Sequence, residues 1–427
     1  NWIGLYAGVV IAVLSITGVV ALFKVEIDRG LNPSLFHVEP KGEYVDLLPV
    51  IDSLKTIHGP ENLVYVGVSK TPKDSWFAYF FIRNSTLDIK QWHVFIDPYT
   101  GKILGERDVY KSTAFFIRNI HVRLFDNLIG RYLVGLAGIA LLISTITGFW
   151  IYGGFMKRQL FGAIRKKNLR VSMADYHKLI GITTLLFNLM IAITGGWLGL
   201  QGLLQPALGI DRPGIYEVAD KPLEKDVDVA YSVDYNSVFK KSRELFPELV
   251  PAYIAPSRDG SRTVTIWGSV PRTAFERHRF SLTLDKKNLS ELNRYDIRNA
   301  SFGDKLFYVQ ESLHFGDFGG ILMKMLYSFF GITSGFLALT GFVVYLKRTE
   351  TKRSQKPKFV ELKPLLLKWT YGILGAILLL LGLHLSFGVV VPAILTIVVL
   401  YLSLLILLIR AMVLFVKRKL KYGKVAT

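Results

Sequence analysis

Four histidines stand where histidine can do redox or metal chemistry: His121, His177, His314 and His384. Each lies in or beside an apolar run of membrane-spanning length, where an ionisable side chain is costly unless something holds it. Two of them occupy one place in a repeated unit. Residues 121–152 align without a gap on 314–345, setting His121 on His314, Gly138 on Gly331, Thr147-Gly148-Phe149 on Thr340-Gly341-Phe342 and Tyr152 on Tyr345. A second repeat sets residues 2–20 on 179–197, with Ile3-Gly4 on Ile180-Gly181 and Ile16-Thr17-Gly18 on Ile193-Thr194-Gly195. His177 stands two residues before this second block, one position ahead of the residue that falls on Asn1. A histidine is therefore expected in the natural chain just before Asn1.

Both copies of the unit enter the membrane from the same side, so the halves are expected to be related by a two-fold axis along the membrane normal. His121 then meets His314 near the outer face, and His177 meets its own partner near the inner one. Two imidazoles facing across a helix bundle suit a b-type haem, one ring on each side of the iron. Gly135, Gly138, Gly181, Gly195, Gly331 and Gly335 would let a flat macrocycle approach the backbone, and they serve ordinary close packing of membrane helices equally well. Zinc is the competing metal. It wants three or four ligands at local spacing, whereas the nearby acids Asp126 and Asp317 do not fall on aligned positions. His384 lies about 24 Å along a helix from Lys368, near the outer face, where it could replace or assist an outer ligand. His37, His58, His93 and His278 have no repeated partner and read as structural, His93 sharing a strand face with Phe95.

The elements that must carry these histidines follow from hydropathy. Of the 427 residues, 51% are hydrophobic, and long apolar runs predict six spans near 2–23, 130–152, 179–203, 321–346, 365–387 and 389–416. The absence of cysteine excludes disulfides, iron–sulfur clusters, thiol nucleophiles and covalent C-x-x-C-H haem attachment. A net charge of +19 raises the question of nucleic acid, but its distribution argues against that partner. Segments 155–176, 347–368 and 417–427 together hold 19 Lys/Arg and 3 acids, a net +16 of the +19. Short basic connections mark the cytoplasmic side, so both termini are expected inside and segments 24–129 and 204–320 outside.

The outer segments read as compact α+β modules. In the first, a helix over 44–58 precedes strands Leu63–Val68, Trp76–Arg83 and Trp92–Asp97, then a Pro98-Tyr99-Thr100-Gly101 turn into Lys102-Ile103-Leu104. In the second, a helix near Val233–Phe246 precedes strands Tyr253–Ala255, Thr263–Trp267 and Phe280–Asp285. The order of these elements and "HVFIDPYTGKILGE" (93–106) resemble the PepSY module. "VEIDRGLNP" (25–33), "DYHKLIG" (175–181) and "SLHFGDFGG" (312–320), with spans that close on Thr-Gly, extend the likeness to the PepSY-associated transmembrane family over about residues 1–348. Asp285-Lys286-Lys287-Asn288 departs from it, lacking the proline and glycine of the turn.

The expected fold is a mainly α membrane protein: an internally duplicated four-helix transmembrane core, two further C-terminal spans, and two small extracytoplasmic α+β modules. Its divisions are a first span (1–24), a first module (25–112), an outer histidine segment with the second span (113–154) and a cytoplasmic loop (155–176). A third span (177–203), the second module (204–311), a second histidine segment with the fourth span (312–346) and another loop (347–364) follow. A hairpin of two spans (365–416) and a tail (417–427) complete the chain. The resemblance implies a bacterial inner-membrane protein with two b-type haems that reduces an extracytoplasmic ferric siderophore and frees iron(II). No G-x-G-x-x-G fingerprint opens a helix and the inner loops are short, so the electrons must come from a quinol or a separate cytoplasmic donor. The rival readings are a membrane-anchored PepSY binding or regulatory protein without redox activity, and a transporter whose halves rock about a central site.

Overall fold

The computed structural model describes residues 2–69, 71–84, 89–125, 128–156, 163–165, 167–210, 233–255, 262–273, 275 and 280–353. The chain enters through α1 (Trp2–Leu22), bends by 57° into α2 (Lys24–Leu31) and turns through α3 (Pro33–Phe36). In α4 (Leu47–His58), Asp46 accepts from the Leu48 amide and Leu47, Val50, Ile51 and Leu54 are buried. That is one apolar stripe at helical spacing, with a side-chain cap at its start. Strands β1 (Leu63–Gly67), β2 (Trp76–Arg83), β3 (Ile89–Ile96) and β4 (Ile103–Asp108) form antiparallel hairpins.

Helices α5 (Thr113–Arg123), α6 (Leu128–Met156), α7 (Leu169–Thr183) and α8 (Leu185–Leu208) follow, α7 and α8 separated only by Thr184. The second outer segment supplies α9 (Tyr235–Leu245), β5 (Val250–Ala255), β6 (Thr263–Ser269), β7 (Phe280–Asp285) and β8 (Glu291–Asp296). Helices α10 (Phe302–Phe315) and α11 (Gly320–Arg353) end the described chain.

The eight strands form one antiparallel sheet in the order β4-β3-β2-β1-β5-β6-β7-β8. This corrects the expected fold. The two α+β segments are not separate modules, and the protein is not a mainly helical one with a four-helix core. A large continuous sheet accounts for much of the described structure. Among the described residues three helices, Leu128–Tyr152, Leu185–Leu208 and Gly320–Arg348, are long and apolar enough to cross a membrane, and a fourth is reached only if the bent pair α1–α2 counts as one span. The physical reason is edge pairing. Strands β1 and β5 would each be the bare edge of its own four-stranded sheet, with unpaired backbone groups. Each edge satisfies the other: Val66 pairs with Ile254, Gly67 with Tyr253, and the Val68 amide reaches the Ala252 carbonyl at 2.9 Å. Val66 and Ile254 hold equivalent places in the two halves, so a pseudo-two-fold axis passes between them. Helices α4 and α9 lie on the same face, sharing one core that includes Ile51, Leu54, Val66, Phe80, Val238, Ile254, Ile266 and Leu282.

Below the sheet the halves cross-pair, α1 against α11 and α6 against α8, while α7 packs on α11. Glycines allow this. A Cβ on Gly138 would stand 2.6 Å from the Gly196 nitrogen, one on Gly199 2.4 Å from the Gly135 Cα, and one on Gly331 2.7 Å from Val19 Cγ2. Gly335 likewise faces Ser15 at 3.3 Å, and Gly181 makes only ordinary contact with Leu337 at 3.9 Å. These five repeat glycines (135, 138, 181, 331 and 335) pack helices together, while Gly195 meets a histidine. The two C-terminal spans, 365–387 and 389–416, together with His384 and His278, lie outside the described residues.

Candidate functional site: histidines seated on Thr-Gly pairs

The two outer histidines are delivered by matching devices. Strand β4 leads to α5, whose start is capped by Ser112 accepting from the Phe115 amide, and His121 sits in its last turn. Strand β8 leads to α10, capped by Ser301 accepting from the Asp304 amide, and His314 sits in its last turn. Each helix then stops at a left-handed residue, Leu124 (φ 47°) or Gly316 (φ 59°), which turns the chain sharply into the following span. Tyr327 braces the second turn, its hydroxyl donating to the Leu313 carbonyl at 2.8 Å. Strands β4 and β8 are the two outermost strands of the sheet, about 34 Å apart at ordinary strand spacing. Yet the imidazoles of His121 and His314 converge to 6.4 Å between ring centres, their planes 29° apart.

Each ring rests on a Thr-Gly pair of another helix. His121 Nδ1 is 3.2 Å from Thr17 Oγ1 of α1, and a Cβ on Gly18 would stand 2.9 Å from its Cε1. His314 Nδ1 is 3.0 Å from Thr194 Oγ1 of α8, and a Cβ on Gly195 would stand 3.0 Å from its Cε1. His177, on α7, repeats the arrangement against α11: Nδ1 is 2.9 Å from Thr340 Oγ1, and a Cβ on Gly341 would stand 3.4 Å from its Cε1. The fourth pair, Thr147-Gly148 of α6, has its hydroxyl on the Ile143 carbonyl at 2.7 Å, and among the described residues nothing lies within 4 Å of where a Cβ on the glycine would stand. Sequence repeats located these Thr-Gly pairs as alignment anchors. They did not reveal their role, because a hydroxyl–imidazole contact depends on which helices become neighbours.

Other polar groups frame the seats. Between the outer and inner positions, buried Asn188 accepts from Ser334 Oγ at 2.6 Å and donates to Thr184 Oγ1 at 2.8 Å, tying α8 to α11. At the start of α7, Arg165 clamps Asp175, two residues before His177, with contacts of 2.9 and 3.0 Å. That guanidinium holds the Asp175 carboxyl below the usual carboxylate range. The aligned cations Arg131 and Lys324 have taken different partners: Arg131 donates to the Leu198 carbonyl at 2.8 Å, and Lys324 pairs with Glu26. Of the remaining histidines, His58 contacts Glu106 at 3.0 Å and His37 bridges to Asp74 through the backbone. His93 packs among Phe77, Tyr79 and Phe95. These three serve the outer fold.

The geometry constrains what the outer pair can hold. Two metal–nitrogen bonds of about 2.1 Å each span about 4.2 Å, and half an imidazole at either end fills the rest of the 6.4 Å between ring centres. Among the described residues no three His, Cys, Asp or Glu side chains gather as a metal site. A two-imidazole site therefore suits a metal that brings its own equatorial ligands, as haem iron does, better than zinc with three or four protein ligands.

Residues 1–348 match the family described as the PepSY-associated TM region. A Pseudomonas aeruginosa (strain PAO1) protein, described only as uncharacterised, is similar to the chain: 27% identical over 289 residues, covering 63% of this chain and 72% of the relative.

Proposed function

Because this chain belongs to the PepSY-associated transmembrane family and is a multi-pass membrane protein, we propose that it carries electrons across a bacterial inner membrane through two b-type haems. The acceptor is a ferric siderophore on the outer side, which releases iron(II) on reduction. His121 and His314 would hold the outer haem. His177 would hold the inner one. Bound haem supplies one-electron chemistry; the chain supplies ligands, spacing and a dry setting. The sheet lies on the outer side, and the basic segments 155–176 and 347–368 lie in the cytoplasm. Electrons enter there from a quinol or a separate reductase.

The observation that carries this reading is the convergence of His121 and His314, from opposite edges of the sheet, to a spacing that fits one metal atom between them. The experiment is haem stoichiometry and visible spectrum of the purified full-length protein. Two haems are expected per chain, falling to one in His121→Ala and in His314→Ala. A colourless protein from haem-replete cells, or two haems retained in both variants, would overturn it.

A further inference from the structure

We propose that Thr17, Thr194 and Thr340 are positioning residues that fix the tautomer of His121, His314 and His177, so that each ring presents its Nε2 lone pair to a metal. The inference rests on the haem reading above and assigns a role to three side chains that bind no cofactor themselves.

The argument is a count of hydroxyl protons. A threonine hydroxyl has one hydrogen to donate and lone pairs to accept with. At all three seats the hydrogen is committed to the threonine's own helix. Thr17 donates to the Val13 carbonyl at 2.9 Å, Thr194 to Met190 at 2.7 Å and Thr340 to Leu337 at 3.0 Å. Oγ1 can then only accept from the ring, so the hydrogen of the neutral imidazole sits on Nδ1. With the hydrogen on Nδ1, the lone pair of the neutral ring is on Nε2, the form a metal requires. The glycine after each threonine lets the ring lie against the helix backbone. At Gly18 and Gly195 a Cβ would stand 2.9 and 3.0 Å from the ring, so a larger residue would displace it.

Repetition separates this from casual satisfaction of a buried histidine. The same Thr-Gly seat occurs on α1, α8 and α11. It receives rings from the ends of α5 and α10 but from the interior of α7, so no single local motif imposes it. A hydrogen-bond acceptor on the outer nitrogen also raises the basicity of a ligating histidine, which favours the oxidised metal.

The test is redox titration and electron paramagnetic resonance of the full-length protein carrying Thr194→Val or Thr340→Val. Valine keeps the shape and removes the acceptor. Thr194→Val is expected to raise the midpoint potential of one haem and alter its low-spin signal while the other stays unchanged. Thr340→Val should do the same to the other haem only. Thr194→Ser and Thr340→Ser should restore wild-type values. Thr183→Val, whose hydroxyl bonds the Leu179 carbonyl of its own helix, should change neither. If a valine variant does not accumulate, alanine at the same position fits within the same space and is read the same way. Haem-loaded variants with unchanged potentials and signals would overturn the role of the threonines while leaving the haem reading intact. A wild-type protein without haem overturns both.

Discussion

The two halves of the sheet share one register and differ on one face. Matching Asp97 to Asp285 sets Ala78–Val94 on Ile266–Leu282, and Phe80–Trp92 on Gly268–Phe280. These pairs face the core shared with α4 and α9, and bulk lost on one strand is kept on its neighbour. The opposite face has diverged in chemistry. Phe77–Phe95 and Tyr79–His93 in the first half correspond to Thr265–Thr283 and Trp267–Ser281 in the second. In the first half α2 and α3 close over this face. Phe36 packs on Phe95 with centroids 4.9 Å apart, Arg107 lies over both rings, and buried Asp28 takes Arg107 at 2.6 and 2.9 Å. In the second half the two threonine hydroxyls bond each other at 3.0 Å. A common core limits volume, whereas each outer face answers only to what covers it.

The largest expected effect tests that cover. Asp28→Ala leaves the Arg107 charge buried without its carboxylate, at a cost of about 3–5 kcal/mol, seen as a lowered unfolding transition of the detergent-solubilised protein. Adding Arg107→Met should recover most of the loss. If Asp28→Ala alone is neutral, the ion pair does not hold α2 to the sheet.

A smaller effect depends on pH. Burial first, and the Arg107 charge second, push the His93 pKa from 6.5 down to about 4. The unfolded ring takes up a proton below pH 6.5, whereas the folded ring does so only near 4. Stability is therefore complete above 6.5 and is lost as pH falls through this window, by on the order of 3 kcal/mol. His93→Gln should remove that share of the acid slope. Equal slopes in the two proteins would place His93 in a wetter setting than the first half provides.

The smallest effect concerns the turns. Gly101 (φ 71°) and Leu289 (φ 54°) take the same left-handed position after Asp97 and Asp285. Only the first has the residue that adopts it freely. Gly101→Ala should cost about 1–2 kcal/mol, giving the first turn the strain that the second already carries. No loss in denaturant unfolding would mean that this turn shifts to relieve it.

Much of the outer fold was legible in the residues. Trp76–Arg83 and Phe280–Asp285 have the strand boundaries that alternation and turn chemistry predict. Strand β8, ELNRYD, is not legible because this half-exposed edge strand has no apolar alternation. Helix α2, KVEIDRGL, has too short and too charged a sequence to announce itself, although its Asp28 is buried against Arg107. Neither edge strand encodes the join of β1 to β5, which depends on two distant segments meeting. The repeat disclosed the pairing of His121 with His314, since register survives drift. It could not disclose the hydroxyls behind them, which become partners only across packed helices.

The join has a consequence for how such a molecule could arise. Val66 faces Ile254, its own equivalent, and the rings of the equivalent tyrosines Tyr65 and Tyr253 meet at 4.8 Å. A strand that pairs antiparallel with its own counterpart is the self-complementary contact of a two-fold dimer. Two identical half-length chains could therefore build the same eight-stranded sheet without any linker. Gene fusion would then have tethered an existing homodimer, leaving each copy free to change the face its twin does not touch.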